Sequence, residues 1–223
     1  MLLYLIPTPI GNLEDITLRA LRILKDVDAI LAEDTRVTKK ILKHYNINNK
    51  IFSFHSHNEH RVLEKWIKKL KEGKIIALVS DAGTPSVSDP GFLLVRECAK
   101  SGIDVKCLPG PTAFLPALVN SGIPCDRFVF EGFLPVKKGR KTRMQDLSVE
   151  SRTMIFYESP HRILKTLKLF LLYFGEERKI AITREISKIY EETIRGTIID
   201  LIKVYETNKP RGEFVIIVSG NKM

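Results

Sequence analysis

The chain has 223 residues, 44% of them apolar and 28% charged, and a formal net charge of +10. That apolar share supports one large core or two smaller ones and excludes a disordered chain, and no apolar run approaches the roughly 20 residues of a membrane-spanning helix. The positive excess points to a polyanionic partner, with nucleic acid ahead of a membrane surface. Cys98, Cys107 and Cys125 are widely spaced and form no C-x-x-C pair, so neither a zinc site nor a disulfide framework is indicated and a reducing, cytoplasmic setting fits.

Residues 2–6 read as a strand, because the segment lacks the basic lead and small-residue cleavage site of a leader. Pro7-Thr8-Pro9-Ile10-Gly11-Asn12 follows, a loop stiffened by proline in which Gly11 admits a close ligand. Asp15 or Thr17 then caps a helix whose apolar face holds Leu18, Leu21 and Leu24. No G-x-G-x-x-G is present, so the dinucleotide fingerprint is absent.

Residues 29–32 form a second strand, followed by Glu33-Asp34-Thr35-Arg36. This charged tip has two readings: a helix start capped by Asp34 or Thr35 with Arg36 paired to Glu33, or a carboxylate and a guanidinium at a cleft rim that position a phosphate or hydroxyl. Lys39, Lys40 and Lys43 on the next helix are phosphate contacts or a solvated face. After a third strand at 51–54, His55, His57 and His60 raise the question of a metal, but no matching Cys/His pair or acidic cluster completes a ligand set, and none is expected. Glu59 opens a helix with apolar Val62, Leu63, Trp66, Ile67 and Leu70, closed by Gly73.

The uninterrupted apolar run 75–79 is a buried strand that leads into Ser80-Asp81-Ala82-Gly83-Thr84-Pro85-Ser86-Val87-Ser88-Asp89-Pro90-Gly91. Asp81 stands at the strand tip, where open α/β sheets bind ligands. A helix with Phe92, Leu93, Val95 and Ala99 follows, then a strand at 105–108 and a third stiff loop, Pro109-Gly110-Pro111-Thr112-Ala113, which opens a helix over 113–121. A break at Gly122-Ile123-Pro124 lies in the same boundary zone, and the division is set at 1–111 and 112–223.

The second half predicts strands at 127–131, 153–157, 179–183, 190–195 and 213–218, with helices after Pro160 and over 198–206. Close spacing near the end implies antiparallel pairing and a mixed sheet. Lys137, Lys138, Arg140, Lys141 and Arg143 crowd a stretch read as a flexible loop beside Phe130 and Phe133, suited to an RNA backbone.

Six blocks carry a resemblance: 7–17, Ala32-Glu33-Asp34-Thr35-Arg36, the 80–91 loop, 109–113, Tyr157-Glu158-Ser159-Pro160-His161-Arg162, and Arg184-Glu185. In order and almost end to end, they resemble the tetrapyrrole methylase superfamily, and within it the branch that modifies small-subunit ribosomal RNA. Two departures are small: Ile6-Pro7 precede Thr8 where a small residue is expected, and Thr112 replaces a usual serine.

The resemblance implies two α/β domains, an N-terminal one with a mostly parallel sheet and a C-terminal one with a mixed sheet, the cofactor lying in the cleft between them. It implies methyl transfer from S-adenosyl-L-methionine to the ribose 2′-hydroxyl of a decoding-centre cytidine in 16S ribosomal RNA, by a homodimer without membrane attachment. It assigns cofactor contacts to Ile10, Asp81, Thr84, Pro111, Thr112, Ala113, Tyr157, Thr183 and Gly212. In-line transfer to a ribose hydroxyl needs positioning and a proton acceptor or a stabilising cation. Candidates are Glu33, Asp34, Arg36, His57, Glu59, Glu158 and Arg184; Asp34 or Glu59 is taken as acceptor, with Arg36 orienting the RNA. A structured RNA site favours the assembled or partly assembled small subunit as substrate. The alternatives are a precorrin-type methyltransferase of the same superfamily and a non-catalytic RNA-binding protein.

Overall fold

The short apolar runs of the first half form five strands: β1 (Leu2–Leu5), β2 (Ala29–Ala32), β3 (Ile51–Ser53), β4 (Ile75–Val79) and β5 (Asp104–Cys107). In the computed structural model, which describes residues 1–207 and 210–221, they belong to the first of two compact units, Met1–Thr112 and Ala113–Met223. All pair in parallel, in the order β3-β2-β4-β1-β5. The central strands are buried on both faces, which is why they read as continuous apolar runs. Alternation splits their side chains between two cores. Leu31 and Leu78 join Trp66, Ile67 and Leu70 of α3 (Glu59–Lys71) and Leu94 and Cys98 of α4 (Phe92–Lys100). Ile30 and Ala77 join Ile23 and Leu24 of α1 (Leu18–Asp26) and Ile41 and Leu42 of α2 (Thr35–His44).

Helices therefore cover both faces, and every loop that follows a strand emerges at one edge of the sheet. Local chemistry sets the starts of the helices. Thr17 accepts the Ala20 N–H at 3.1 Å and caps α1, while Asn12 caps a single 3-10 turn at Leu13–Asp15. Asp34 caps α2 through the Arg36 N–H at 2.8 Å.

The second unit begins with α5 (Phe114–Ser121), which ends at Gly122 in a left-handed conformation. Its sheet contains β6 (Phe128–Phe133), β7 (Thr153–Glu158), β8 (Lys179–Arg184), β9 (Glu192–Thr197) and β10 (Phe214–Val218), in the order β6-β7-β10-β8-β9. Only β6 and β7 are parallel; the other three pairings are antiparallel, so the sheet is mixed. One face packs against α6 (Arg140–Ser148), α7 (Ile163–Phe174) and α8 (Ile198–Thr207), in a core where Phe156, Phe170 and Phe214 are fully buried. Helix α5 crosses the other face, against β7, β8, β9 and β10. Among the described residues no helix is long and apolar enough to cross a membrane.

The basic stretch at 137–143 departs from expectation. It is not one flexible loop but a short connection and the start of α6. Arg140 is buried and donates to Thr166 Oγ1 at 2.8 Å, and Arg143 forks onto Glu131. Only Lys137, Lys138 and Lys141 stay exposed and uncommitted among the five.

Candidate functional site

In the first unit three strand-end loops meet. Thr8 and Gly83 exchange backbone hydrogen bonds of 2.9 Å in both directions, an isolated antiparallel bridge that ties the loop after β1 to the loop after β4. Thr8 Oγ1 donates to the Ser80 carbonyl at 2.9 Å and reinforces this tie. Thr84 Oγ1 donates to the Pro111 carbonyl at 3.2 Å, which brings in the loop after β5. Gly83, at φ +79°, sits in the crease: a Cβ there would lie 3.6 Å from Ile10 Cγ2 and 3.9 Å from the Pro111 oxygen. Ile10, Thr84 and Pro111 are thus neighbours around one glycine, with Thr112 next in the chain.

The 80–91 loop is held in unusual backbone states. Ser86 and Ser88 are non-glycine residues with φ of +71° and +65°. Gly91 has φ +134°, and a Cβ there would come within 2.5 Å of Ser86 Oγ, itself buried without a partner. Strain of this kind persists where the surroundings hold a functional shape.

Carboxylates crowd the same edge. Asp81 Oδ1 accepts the Asp34 N–H at 2.9 Å, linking the tips of β4 and β2. Burial and the Asp81 charge raise the pKa of Glu33. Burial, followed by the charges of Glu33 and Asp81, pushes Asp89 up to about 7. His55, whose buried Nδ1 has no hydrogen-bond partner, stands close enough to Glu33 to oppose part of its rise. Like charges gathered in a half-buried place are relieved by a cation.

Asp34 is different. Its carboxylate takes the Arg36 N–H and forks with the Arg36 guanidinium, 2.6 Å at the closest approach. The Arg36 hydrogen bonds hold its pKa down at about 2. A carboxylate so engaged is a weak proton acceptor at neutral pH. The pairing expected between Arg36 and Glu33 is replaced by this one, because the cap places the Asp34 carboxylate over the first turn. Arg36 remains 85% exposed, at the rim. Glu59 occupies the first turn of α3, where Asn58 is spent on the His55 N–H and on Ser53. His57 is exposed, 5.9 Å from the His55 ring. Among the described residues no cluster of three or more His, Cys, Asp or Glu is placed to hold a metal.

In the second unit, Ala113 is the residue before α5. Tyr157 and Thr183 both register with Val215, so they share one row on the sheet. Thr183 Oγ1 lies 3.1 Å from Thr193 Oγ1 in the same row. Gly212, at φ +86°, is needed for packing: a Cβ there would fall 2.5 Å from Glu185 Cγ. Glu158 is buried, and accepts from Thr166 Oγ1 at 2.7 Å, Arg162 at 2.8 Å and the Ser159 N–H at 2.8 Å. That makes it a scaffold residue. Arg184 pairs with Glu192 at 3.3 Å.

Asp89 is the site residue that sequence reasoning passed over. Its signal was the second Asp of the 80–91 loop, but of the two charges that act on it only Asp81 belongs to that loop; Glu33, the larger, comes from the end of β2.

A family profile described as Tetrapyrrole (Corrin/Porphyrin) Methylases matches residues 2–202. The chain is 49% identical to the ribosomal RNA small subunit methyltransferase I of Escherichia coli O157:H7, over 99% of this chain and 78% of that one. To the protein of the same name from Thermotoga maritima it is 46% identical, over 99% of both. Among solved structures it is similar to a cobalt precorrin-4 methyltransferase, with a TM-score of 0.71 and 20% identity over 98% of this chain and 94% of that one. It is also similar to uroporphyrin-III C-methyltransferase from Thermus thermophilus, with a TM-score of 0.66 and 20% identity over 99% and 94%. At such identity the structures speak for the fold alone.

Proposed function

Because the chain belongs to the tetrapyrrole (corrin/porphyrin) methylases, we propose that it is a ribosomal RNA methyltransferase that transfers a methyl group from S-adenosyl-L-methionine to the ribose 2′-hydroxyl of a decoding-centre cytidine in 16S ribosomal RNA. The observation that carries this reading is the 46–50% identity, over nearly the whole chain, to relatives named ribosomal RNA small subunit methyltransferase I. The fold neighbours that act on tetrapyrroles are only 20% identical.

The residues present suit the donor. Bound S-adenosyl-L-methionine supplies an electrophilic methyl group on a cationic sulfonium. The first unit offers a cationic ligand an edge of carbonyls and crowded carboxylates, with Gly83 leaving the crease between Ile10 and Pro111 open. We assign the cofactor to Ile10, Asp81, Thr84, Pro111 and Thr112 there, and to Ala113, Tyr157, Thr183 and Gly212 in the second unit. Asp81 is the anchor, fixed by the Asp34 N–H.

Proton handling follows from the same electrostatics. A ribose hydroxyl loses its proton as the new C–O bond forms, and an acceptor with a pKa near neutrality serves best. Asp89, with Glu33 behind it, meets that need better than Asp34. Arg36, braced by Asp34 and exposed, is assigned to orient the RNA backbone. Glu59 stays a candidate second acceptor on α3. The assembled or partly assembled small subunit is the proposed substrate, acted on by a homodimer in the cytoplasm.

Purified protein with labelled S-adenosyl-L-methionine should be offered small subunits lacking the modification, naked 16S RNA and a precorrin-type polycarboxylate. The expected product is 2′-O-methylcytidine from the subunits, mapped by nuclease digestion and mass spectrometry. Label in the tetrapyrrole alone would overturn the RNA reading, and equal rates on naked RNA would overturn the choice of the subunit.

A further inference from the structure

Strand β6 ends abnormally. A bulge between Phe130 and Gly132, with Gly132 at φ +60°, shifts the register so that Phe133 pairs with Tyr157. Phe133 is 53% exposed, although a terminal aromatic on a sheet gains most from burial. Its ring is held from behind. The Tyr157 ring lies 5.6 Å away, edge on, and the Arg162 guanidinium 5.9 Å from the ring centroid, itself fixed by the buried carboxylate of Glu158. An exposed aromatic ring fixed beside a cation is how proteins present a surface to a nucleobase.

Beside the ring lies a groove of about 530 Å³, within the range of small-ligand sites, lined by Phe133, Pro135, Thr142, Arg143, Glu131 and Asp146 among others. Glu131 is nearly buried, and Arg143 forks onto it with Nε–Oε2 of 2.8 Å and Nη2–Oε1 of 2.5 Å. The fork spends Nε and Nη2 and leaves Nη1 for another acceptor. Arg143 is 44% exposed, so a ligand can reach it. Gly139, Thr142, Arg143 and Asp146 form one wall of this groove; Lys137, Lys138 and Lys141 are exposed on the same turn and the first turn of α6 but stand outside the lining. An apolar ring, a hydrogen-bonding edge and three uncommitted cations match the three parts of a nucleotide: base face, base edge and phosphate.

We propose that the groove between the end of β6 and α6 holds an unpaired nucleotide of the RNA substrate, its base stacked on Phe133, its edge met by Arg143 and its phosphates by Lys137, Lys138 and Lys141. This rests on the reading that the substrate is RNA. It places a substrate subsite one ring contact from Tyr157, a residue assigned above to the cofactor.

The test compares wild type with Phe133→Leu, which stays apolar but loses the ring, and Phe133→Tyr, which keeps it. Phe133→Leu should raise KM for small subunits about tenfold, with kcat and calorimetric affinity for S-adenosyl-L-methionine little changed, and Phe133→Tyr should restore KM. A combined Lys137→Ala, Lys138→Ala and Lys141→Ala variant should flatten the salt dependence of RNA binding by about two in log–log slope. Unchanged KM and salt slope in a wild-type background that methylates RNA would overturn the subsite alone. A parallel loss of cofactor affinity in Phe133→Leu would overturn it too, by showing that the ring acts through Tyr157. Wild type that methylates no RNA would bring down the RNA reading and the subsite with it.

Discussion

The two units treat carboxylates in opposite ways. In the second, Glu131 and Glu158 are each nearly buried and each satisfied by arginine, Glu131 by the Arg143 fork and Glu158 by Arg162 together with Thr166 and the Ser159 N–H. In the first, Glu33, Asp81 and Asp89 crowd one another at the strand tips, and burial with mutual repulsion raises Glu33 and Asp89. Only Asp34 beside them has an arginine, and its pKa falls. Satisfied carboxylates hold a fold together; crowded ones hold unspent charge for a ligand. The same residue type is structural in one unit and chemical in the other, and the difference is whether the partner comes from the chain or from outside it.

The comparison breaks most visibly at Glu158. Glu158→Gln leaves Arg162 without its carboxylate and weakens the hold on Thr166, which also carries the buried Arg140. Removing one partner of a buried pair costs about 3 kcal/mol. Urea unfolding should show the second unit losing that amount. A change below about 0.5 kcal/mol would mean the network is not structural.

Asp81→Asn should do the reverse. An asparagine oxygen still accepts the Asp34 N–H, so the tie between β2 and β4 survives. The charge is lost, and with it about 2 kcal/mol of a charge-assisted contact, so calorimetry should show S-adenosyl-L-methionine binding roughly thirtyfold more weakly. Stability should hold or rise, because Glu33 and Asp89 lose a like charge. If Asp81→Asn unfolds the protein while ligand affinity survives, Asp81 belongs with Glu158.

The first unit was the more legible in sequence, for a physical reason. Parallel strands buried on both faces cannot hide: β2 and β4 are unbroken apolar runs, and the stiff loops mark their carboxyl ends. The second unit hid α6. Its buried residues, Arg140, Met144 and Leu147, have helical spacing, but the first is an arginine, and a run of cations reads as solvated loop unless Thr166, twenty-six residues on, is known to receive it. The site was legible as loops but not as electrostatics. Asp34 and Asp89 look alike in a sequence; one lies two residues from its arginine, and the other meets Glu33 from the end of β2 as well as Asp81 of its own loop. Local bonds such as the Asp34 cap were foreseeable, whereas the rise at Asp89 depends on tertiary approach.

The smallest effect is also the most specific. Asp89 titrates near 7 in the folded chain against an ordinary 3.8. Between those values the folded state binds the extra proton, so the contribution of Asp89 to the stability of the ligand-free protein is fully present below about 4 and is lost as pH rises through about 7. If Asp89 accepts the substrate proton, methyl transfer should rise over the same range with a midpoint near 7, because only the ionised form can take it. Glu33→Gln removes one of the two charges that lift Asp89, and should move the midpoint of activity down by roughly half a unit while flattening the decline in stability. A midpoint that stays fixed while the stability slope changes would separate the two, leaving Asp89 as an electrostatic neighbour and returning the role of acceptor to Glu59.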